Sequence, residues 1–177
     1  MAIPEKIDAG RIIGRINLEA LAEQVSKISI EIRDEKKRTG GVLAVAVFCE
    51  NDSSVNNYAA ATVGQPGGGL HLNLFYVNEK INRTRDRRLR GIKEFASSQS
   101  ANDEKKFYGG CIVAFVEKLE GYGDVEIYFS YSGAKAEVDE AVSTVLAAMS
   151  GFVFNPHFDL NSITTITGIM LSNVMQF

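Results

Sequence analysis

The chain has 177 residues, of which 45% are apolar and 23% are charged, and this composition fits one ordinary globular domain. It excludes a disordered chain, a collagen-like repeat and a long coiled coil. Nineteen Lys and Arg against twenty-two Asp and Glu give a formal net charge of −3. That balance is too weak and of the wrong sign for a general nucleic-acid binder, so we expect no nucleic-acid partner.

The distribution of cysteines and apolar residues predicts a cytoplasmic protein. Cys49 and Cys111 both lie in apolar runs, where free thiols of a reducing compartment are typical. The first fourteen residues carry charges and no continuous apolar core, so we expect no secretory signal. The C-terminal stretch is interrupted by Gly151, Pro156 and Gly168, and a membrane span needs about 20 predominantly apolar residues. We therefore expect no membrane partner.

The first half of the chain predicts a helix followed by a hairpin. Apolar residues recur at helical spacing from Asn17 to about Lys37, and Asn17 is a suitable N-cap. The apolar run Val42–Cys49 is typical of a buried strand, and Val55–Val63 is predicted to return as its antiparallel partner. The glycine-rich segment that follows, residues 64–69, lacks the Lys-Ser or Lys-Thr pair of a phosphate loop and is interpreted as a connection.

The second half predicts a possible strand, two helices and two further strands. Residues 70–76 are a possible third strand, and a helix is predicted from about Asn78 to Ser97 with Ile81, Leu89, Ile92 and Phe95 on its apolar side. Two further strands, Gly110–Glu117 and Asp124–Tyr131, precede a helix over Ala134–Met149. Adjacent strands between separate helices favour an α+β fold with an antiparallel sheet of about five strands flanked by helices. The predicted domain covers residues 17–151, between an N-terminal extension (1–16) and an apolar C-terminal extension (152–177).

Several motifs carry a resemblance to a known family. They are the strand Tyr108-Gly109-Gly110-Cys111-Ile112-Val113, the segment Tyr131-Ser132-Gly133-Ala134, and the helix start Val138-Asp139-Glu140-Ala141. Over about residues 17–151 the chain resembles the GlcG/HbpS-like family of haem-binding or haem-degrading-like proteins. In the central helix Thr84 is the clear match, whereas Cys111-Ile112 and the turn Glu50–Ser54 depart from the family's pattern.

The resemblance implies a profilin-like or PAS-like sheet, an oligomer, and a pocket between sheet and helices for a small molecule, with haem as a possible cofactor. It places Gly110, Ser132 and Thr84 among the candidate ligand-binding residues. Ser132 precedes a predicted helix, so helix capping is the structural alternative. His71 is a further candidate because imidazole binds haem iron or a divalent metal, although it has no second ligand at metal-binding spacing.

The segment from Glu79 to Glu94 has the most unusual charge, with seven basic residues against three acidic ones. Such a basic helix face is usually solvated, but it also attracts phosphate or carboxylate groups. Arg85 is predicted to share the apolar side with Ile81 and Leu89, whereas Arg83, Arg87 and Arg90 are predicted to point outward. We therefore expect Arg85, beside Thr84, to mark the anion-recognising end of a pocket.

These observations favour a small-molecule-binding module with no evident catalytic residues and no metal site. The alternative is an oligomeric interaction protein that uses the basic helix and the C-terminal segment, and an enzyme acting on a small organic acid ranks third. Residues 152–177 carry one charge, Asp159, and place apolar residues at helical spacing. We expect a homo-oligomer, most simply a dimer, with this segment in or beside the interface.

Overall fold

A computed structural model describes residues 17–31, 40–119 and 123–149, and it has an α+β fold. The elements in chain order are α1 (Leu18–Glu31), β1 (Gly41–Cys49), β2 (Asn57–Val63), α2 (Leu70–Leu89), β3 (Cys111–Leu119), β4 (Gly123–Ser132) and α3 (Ala136–Met149). In the connections within these ranges lie two short 3₁₀ helices, Ser53–Val55 and Ser97–Ser100.

The strands form one antiparallel sheet in the order β2-β1-β4-β3. β1 lies inside the sheet, with Val45 opposite Ala59 of β2 and Phe129 of β4. This position explains the continuous apolar run of β1, because both of its faces are covered by helices.

Helices cover the two faces of the sheet unequally. α1 and α3 pack on one face, where Val25 and Val142 meet alternate residues of β1 and β4 such as Val45 and Phe129. α2 packs on the other face, where Val77 and Ile81 meet the opposite set, including Tyr128. The period-2 pattern of β4 thus divides its side chains between two cores.

Most of the predicted elements are confirmed. Asn17 caps α1 through its Oδ1, which accepts a hydrogen bond from the Ala20 N–H at 3.0 Å. The hairpin of β1 and β2, the pair β3 and β4, and the helix after β4 occur within a few residues of their predicted bounds. Cys49 and Cys111 are buried free thiols.

The possible strand over residues 70–76 is wrong, because these residues form the first two turns of α2. The leucines at positions 70, 72 and 74 alternate as in a strand, but Leu70 and Leu72 are 43% and 46% exposed. The described residues therefore form four strands and not five. α2 also ends earlier than predicted, at Leu89, whose side chain is 69% exposed and not on an apolar side.

The predicted basic face of α2 is mostly an internal pairing surface. Arg83 was expected to point outward, but it is largely buried and donates to the carbonyl oxygens of Ser97 and Tyr108 at 2.8 and 2.7 Å. Arg87 pairs with buried Glu94, and Arg88 pairs with Glu126 at 2.7 Å. Through these hydrogen bonds and ion pairs the arginines connect α2 to the segment that follows it and to β4.

Some predictions fall outside the described residues. The N-terminal extension and the C-terminal segment 152–177, with the dimer interface assigned to it, are among these. Within the described ranges, no helix is long and apolar enough to cross a membrane.

Two arginines of α2 provide a matched test of this pairing. Replacing Arg83 by Ala leaves the Glu79 carboxylate and two carbonyl oxygens without their donor, so we expect a loss of about 3 kcal/mol or more in unfolding free energy. Arg90→Ala is the control, because its ion pair with Asp86 is exposed and contributes about 0–1 kcal/mol. Urea denaturation of both variants measures the difference, and equal losses would contradict the pairing.

Candidate functional site

A cavity of about 600 Å³ lies where α2, the glycine-rich segment before it and the start of α3 meet. Its lining comprises Gly67, Gly68, Leu72, Asn73, Tyr76, Lys80, Tyr108, Ser132, Gly133, Ala134, Lys135, Ala136, Glu137 and Asp139. The volume is in the range of small-molecule sites, roughly 300–1,000 Å³. We call it the α2–α3 cavity.

A buried ion pair lies in this lining. The Lys80 ammonium contacts the Asp139 carboxylate at 2.9 Å, and the two side chains are 1% and 4% exposed. The same ammonium donates to the Tyr131 carbonyl oxygen at 2.8 Å. The pair therefore connects α2 with the last residues of β4 and the first turn of α3.

The turn between β4 and α3 is shaped by Asp139. Its Oδ1 accepts hydrogen bonds from the N–H groups of Gly133 and Ala134 at 3.1 and 2.8 Å, while its Oδ2 binds Lys80. Gly110 packs against this arrangement with φ 128°, and a Cβ added there would lie 2.5 Å from the Lys80 Nζ. Glycine is required at this position because both the backbone angle and the space exclude a side chain.

A second carboxylate, that of Glu140, also contacts Gly110. It accepts hydrogen bonds from the Ser98 hydroxyl at 2.7 Å and from the Ser98 and Gly110 N–H groups at 3.2 and 3.4 Å. Burial raises the pKa of the Glu140 carboxyl, and the donors from Ser98 and Gly110 oppose that rise. Burial likewise raises the pKa of Asp139, against the opposing effect of Lys80.

Glu140 also lines a smaller neighbouring cavity of about 270 Å³. The two cavities share Tyr108, Ala136 and Glu137. The smaller one adds the acidic Asp103 and the ring of Phe107 to its lining.

Three buried side chains of the α2–α3 cavity have hydrogen-bonding groups without a partner among the described residues. Lys80 uses two of its three ammonium protons. Asn73, which is 5% exposed, donates its amide to the carbonyl oxygens of Gly67 and Gly69, and its Oδ1 has no donor in the described ranges. The Ser132 hydroxyl, in a residue 6% exposed, likewise has no hydrogen bond to the described part of the chain. Buried polar groups are normally satisfied, so these three point to a bound molecule or water.

Two tyrosines complete the cavity wall. The rings of Tyr76 and Tyr108 have centroids 5.5 Å apart at an interplanar angle of 65°. Tyr76 contacts the ring of Phe75 in the same way, and Phe75 is 62% exposed. The tyrosines supply apolar ring surface beside the polar groups.

The structure places only part of the predicted site together. Ser132 lines the cavity and Gly110 lies against Lys80, whereas Arg85, Thr84 and His71 are absent from the lining. Arg85 instead stacks over the ring of Phe48, with its guanidinium carbon 3.9 Å from the ring centroid. Thr84 is buried and donates to Glu94 at 3.5 Å, and His71 is exposed in the first turn of α2.

Sequence reasoning did not identify Lys80, Asn73 or Asp139 as site residues. The charge pattern places Lys80 among the basic residues of a solvated helix face, and its partner Asp139 lies 59 positions later in the chain. The available signal was the position of Asn73, Val77 and Lys80, which follow one another at three- and four-residue spacing on the buried side of α2.

The described residues contain no group of three or more His, Cys, Asp or Glu that could hold a metal ion. Haem iron takes His, Cys, Met or Tyr as an axial ligand, and of these types the cavity lining holds only Tyr76 and Tyr108 in the described ranges. Within the described lining, these two tyrosines are the residues that could hold haem iron.

The chain matches no protein-family model, no curated protein and no solved structure. The resemblance to the GlcG/HbpS-like family is therefore carried by the sequence motifs alone.

The raised pKa of Glu140 predicts a pH-dependent stability difference between the protein and its Glu140→Gln variant. At pH values between the ordinary pKa and the raised pKa, Glu140 is mostly protonated in the folded protein and mostly ionised in the unfolded chain. As the pH falls from about 7 to about 4, the protein should therefore gain stability relative to the variant, which has no such proton. Urea denaturation across this range measures the difference, and a relative loss at low pH would contradict the shift.

Proposed function

We propose that the protein binds a small polar molecule in the α2–α3 cavity. The observation that carries this proposal is the set of buried polar side chains, Asn73, Lys80 and Ser132, whose hydrogen bonds the described residues leave incomplete. A polar ligand supplies the missing hydrogen bonds. It thereby removes the free-energy cost of burying these groups unsatisfied, about 1–3 kcal/mol per group.

The family resemblance implies a pocket between sheet and helices, and the end of β4 together with α2 in the cavity lining supports a binding site in this part of the fold. Gly67 and Gly68 allow the segment before α2 to pass close to the ligand, because neither has a side chain. Lys135 and Glu137 add one charge of each sign to the lining.

Ligand binding is the function that these contacts support. The Lys80 ammonium is neutralised by Asp139, and Asp139 also holds the turn that precedes α3. Ser132 has no hydrogen-bonded base among the described residues, which a serine nucleophile requires. The side chains of the cavity are thus arranged to hold a ligand in place.

The interaction protein remains the alternative prediction. This alternative depends on the basic helix α2, which is less available to a partner than its sequence predicts. Its residues Arg83, Arg87 and Arg88 form ion pairs within the fold.

A ligand panel with a blocked cavity tests the proposal. Sugars, amino acids, organic acids, nucleosides and haemin are added to the ¹⁵N-labelled protein, and amide shifts of Gly67, Gly68 and Gly133 report binding. We expect at least one member to shift these amides, and Ala136→Trp, which fills the cavity, to weaken that binding by about tenfold or more. Binding of haemin is also measured by a change in its visible absorption spectrum.

The control for the blocked cavity is Ala60→Trp, an exposed position on β2 outside the cavity lining. It should bind as the unmodified protein does. If no member of the panel shifts the cavity amides, or if both tryptophan variants bind equally well, the cavity is not the binding site.

A further inference from the structure

We infer that the ligand of the α2–α3 cavity is an uncharged, polyhydroxylated molecule the size of one or two sugar rings. This inference rests on the proposed function and specifies the class of molecule. It is drawn from the kind of hydrogen bond each buried group lacks, from the charges of the lining and from the spacing along α2.

The incomplete hydrogen bonds require both donors and acceptors from the ligand. Lys80 has a proton to donate, Asn73 has an Oδ1 that accepts, and the Ser132 hydroxyl does either. A ligand hydroxyl donates and accepts at once, so a polyol completes all three without a charged group.

The charges of the lining favour a neutral ligand. Lys80 and Lys135 are balanced by Glu137 and Asp139, so the lining formed by the described residues has no net charge. An anion bound to Lys80 would also approach the Asp139 carboxylate, which lies 2.9 Å from the same ammonium. Bringing two negative groups together in a buried site is unfavourable, whereas the charged Lys80 donor still forms a strong hydrogen bond to a neutral oxygen.

The spacing of the buried polar residues along α2 favours a ligand with polar groups at separate positions. Asn73 and Lys80 lie seven residues apart on one side of α2, which is two turns or about 10 Å along the helix axis. A ligand that contacts both side chains therefore carries hydrogen-bonding groups on more than one edge, as a saccharide with hydroxyl groups around its ring does.

The aromatic wall suits the same class of molecule. Tyr76 lies between Asn73 and Lys80 on α2, and its ring contacts that of Tyr108 across the cavity wall. Sugar rings present C–H groups on their faces and hydroxyls at their edges. The faces can therefore pack on the tyrosines while the edges reach the buried polar groups.

Two serines of β4 give a matched test. Ser132→Ala removes a hydroxyl without a partner in the described ranges, so the melting temperature of the ligand-free protein should not fall, while saccharide affinity falls about three- to tenfold. Ser130→Ala is the control, because its buried hydroxyl donates to the Val77 carbonyl oxygen at 3.3 Å and is absent from the cavity lining. It should lower the melting temperature and leave the affinity unchanged.

Glucose, galactose, maltose and cellobiose are the probes, with glycylglycine and citrate as zwitterionic and anionic comparisons. Amide shifts at Gly67, Gly68 and Gly133 report binding, and saturation transfer to the ligand C–H protons reports contact with the protein. The inference is supported if a saccharide gives both signals and Ser132→Ala weakens them. Binding of glycylglycine or citrate in the cavity without any saccharide would overturn the polyol inference and keep the proposed function. If none of these probes and none of the amino acids, nucleosides and haemin in the first ligand panel binds, both the polyol inference and the proposed function are overturned.

Discussion

The buried ion pair of Lys80 and Asp139 is the interaction on which the cavity depends. A charge of either sign alone at this depth would cost several kcal/mol, so the two residues are required together. The pair joins α2 to the turn between β4 and α3, and it leaves space only for a glycine at position 110. The cavity wall is therefore built from segments far apart in sequence, and this buried contact joins three of them. Removing that contact should disturb both the core and the site.

The remaining charges of α2 follow the same principle of internal pairing. Arg83 reaches the backbone of Ser97 and Tyr108, and so it also positions a tyrosine of the cavity wall. The carboxylate of Glu94, almost completely buried, pairs with Arg87 and accepts from Ser100 at 2.6 Å. A helix with an excess of basic residues is thus consistent with a protein of net negative charge, because its cations neutralise acids on neighbouring segments.

Much of the fold could be predicted from the sequence because its signals are local. The apolar run of β1, the alternation of β4 and the Asn17 cap each depend on a few adjacent residues. The start of α2 was missed because Leu70 and Leu72 mimic a strand while the buried side of the helix includes polar Asn73 and Lys80. Of the candidate site, Ser132 and Gly110 were found through motifs. Lys80 was not, since a buried lysine is recognisable only through a partner that folding brings to it from 59 positions away.

A double-mutant cycle on Lys80 and Asp139 tests this account most directly. We predict that Lys80→Met and Asp139→Asn each lower the unfolding free energy by about 3–5 kcal/mol, because each leaves one buried charge unpaired. The double variant should cost clearly less than the sum of the two, whereas the exposed pair of Asp86 and Arg90 should show a coupling of about 0–1 kcal/mol. Additive costs for Lys80 and Asp139 would contradict the claim that their contact holds the cavity together.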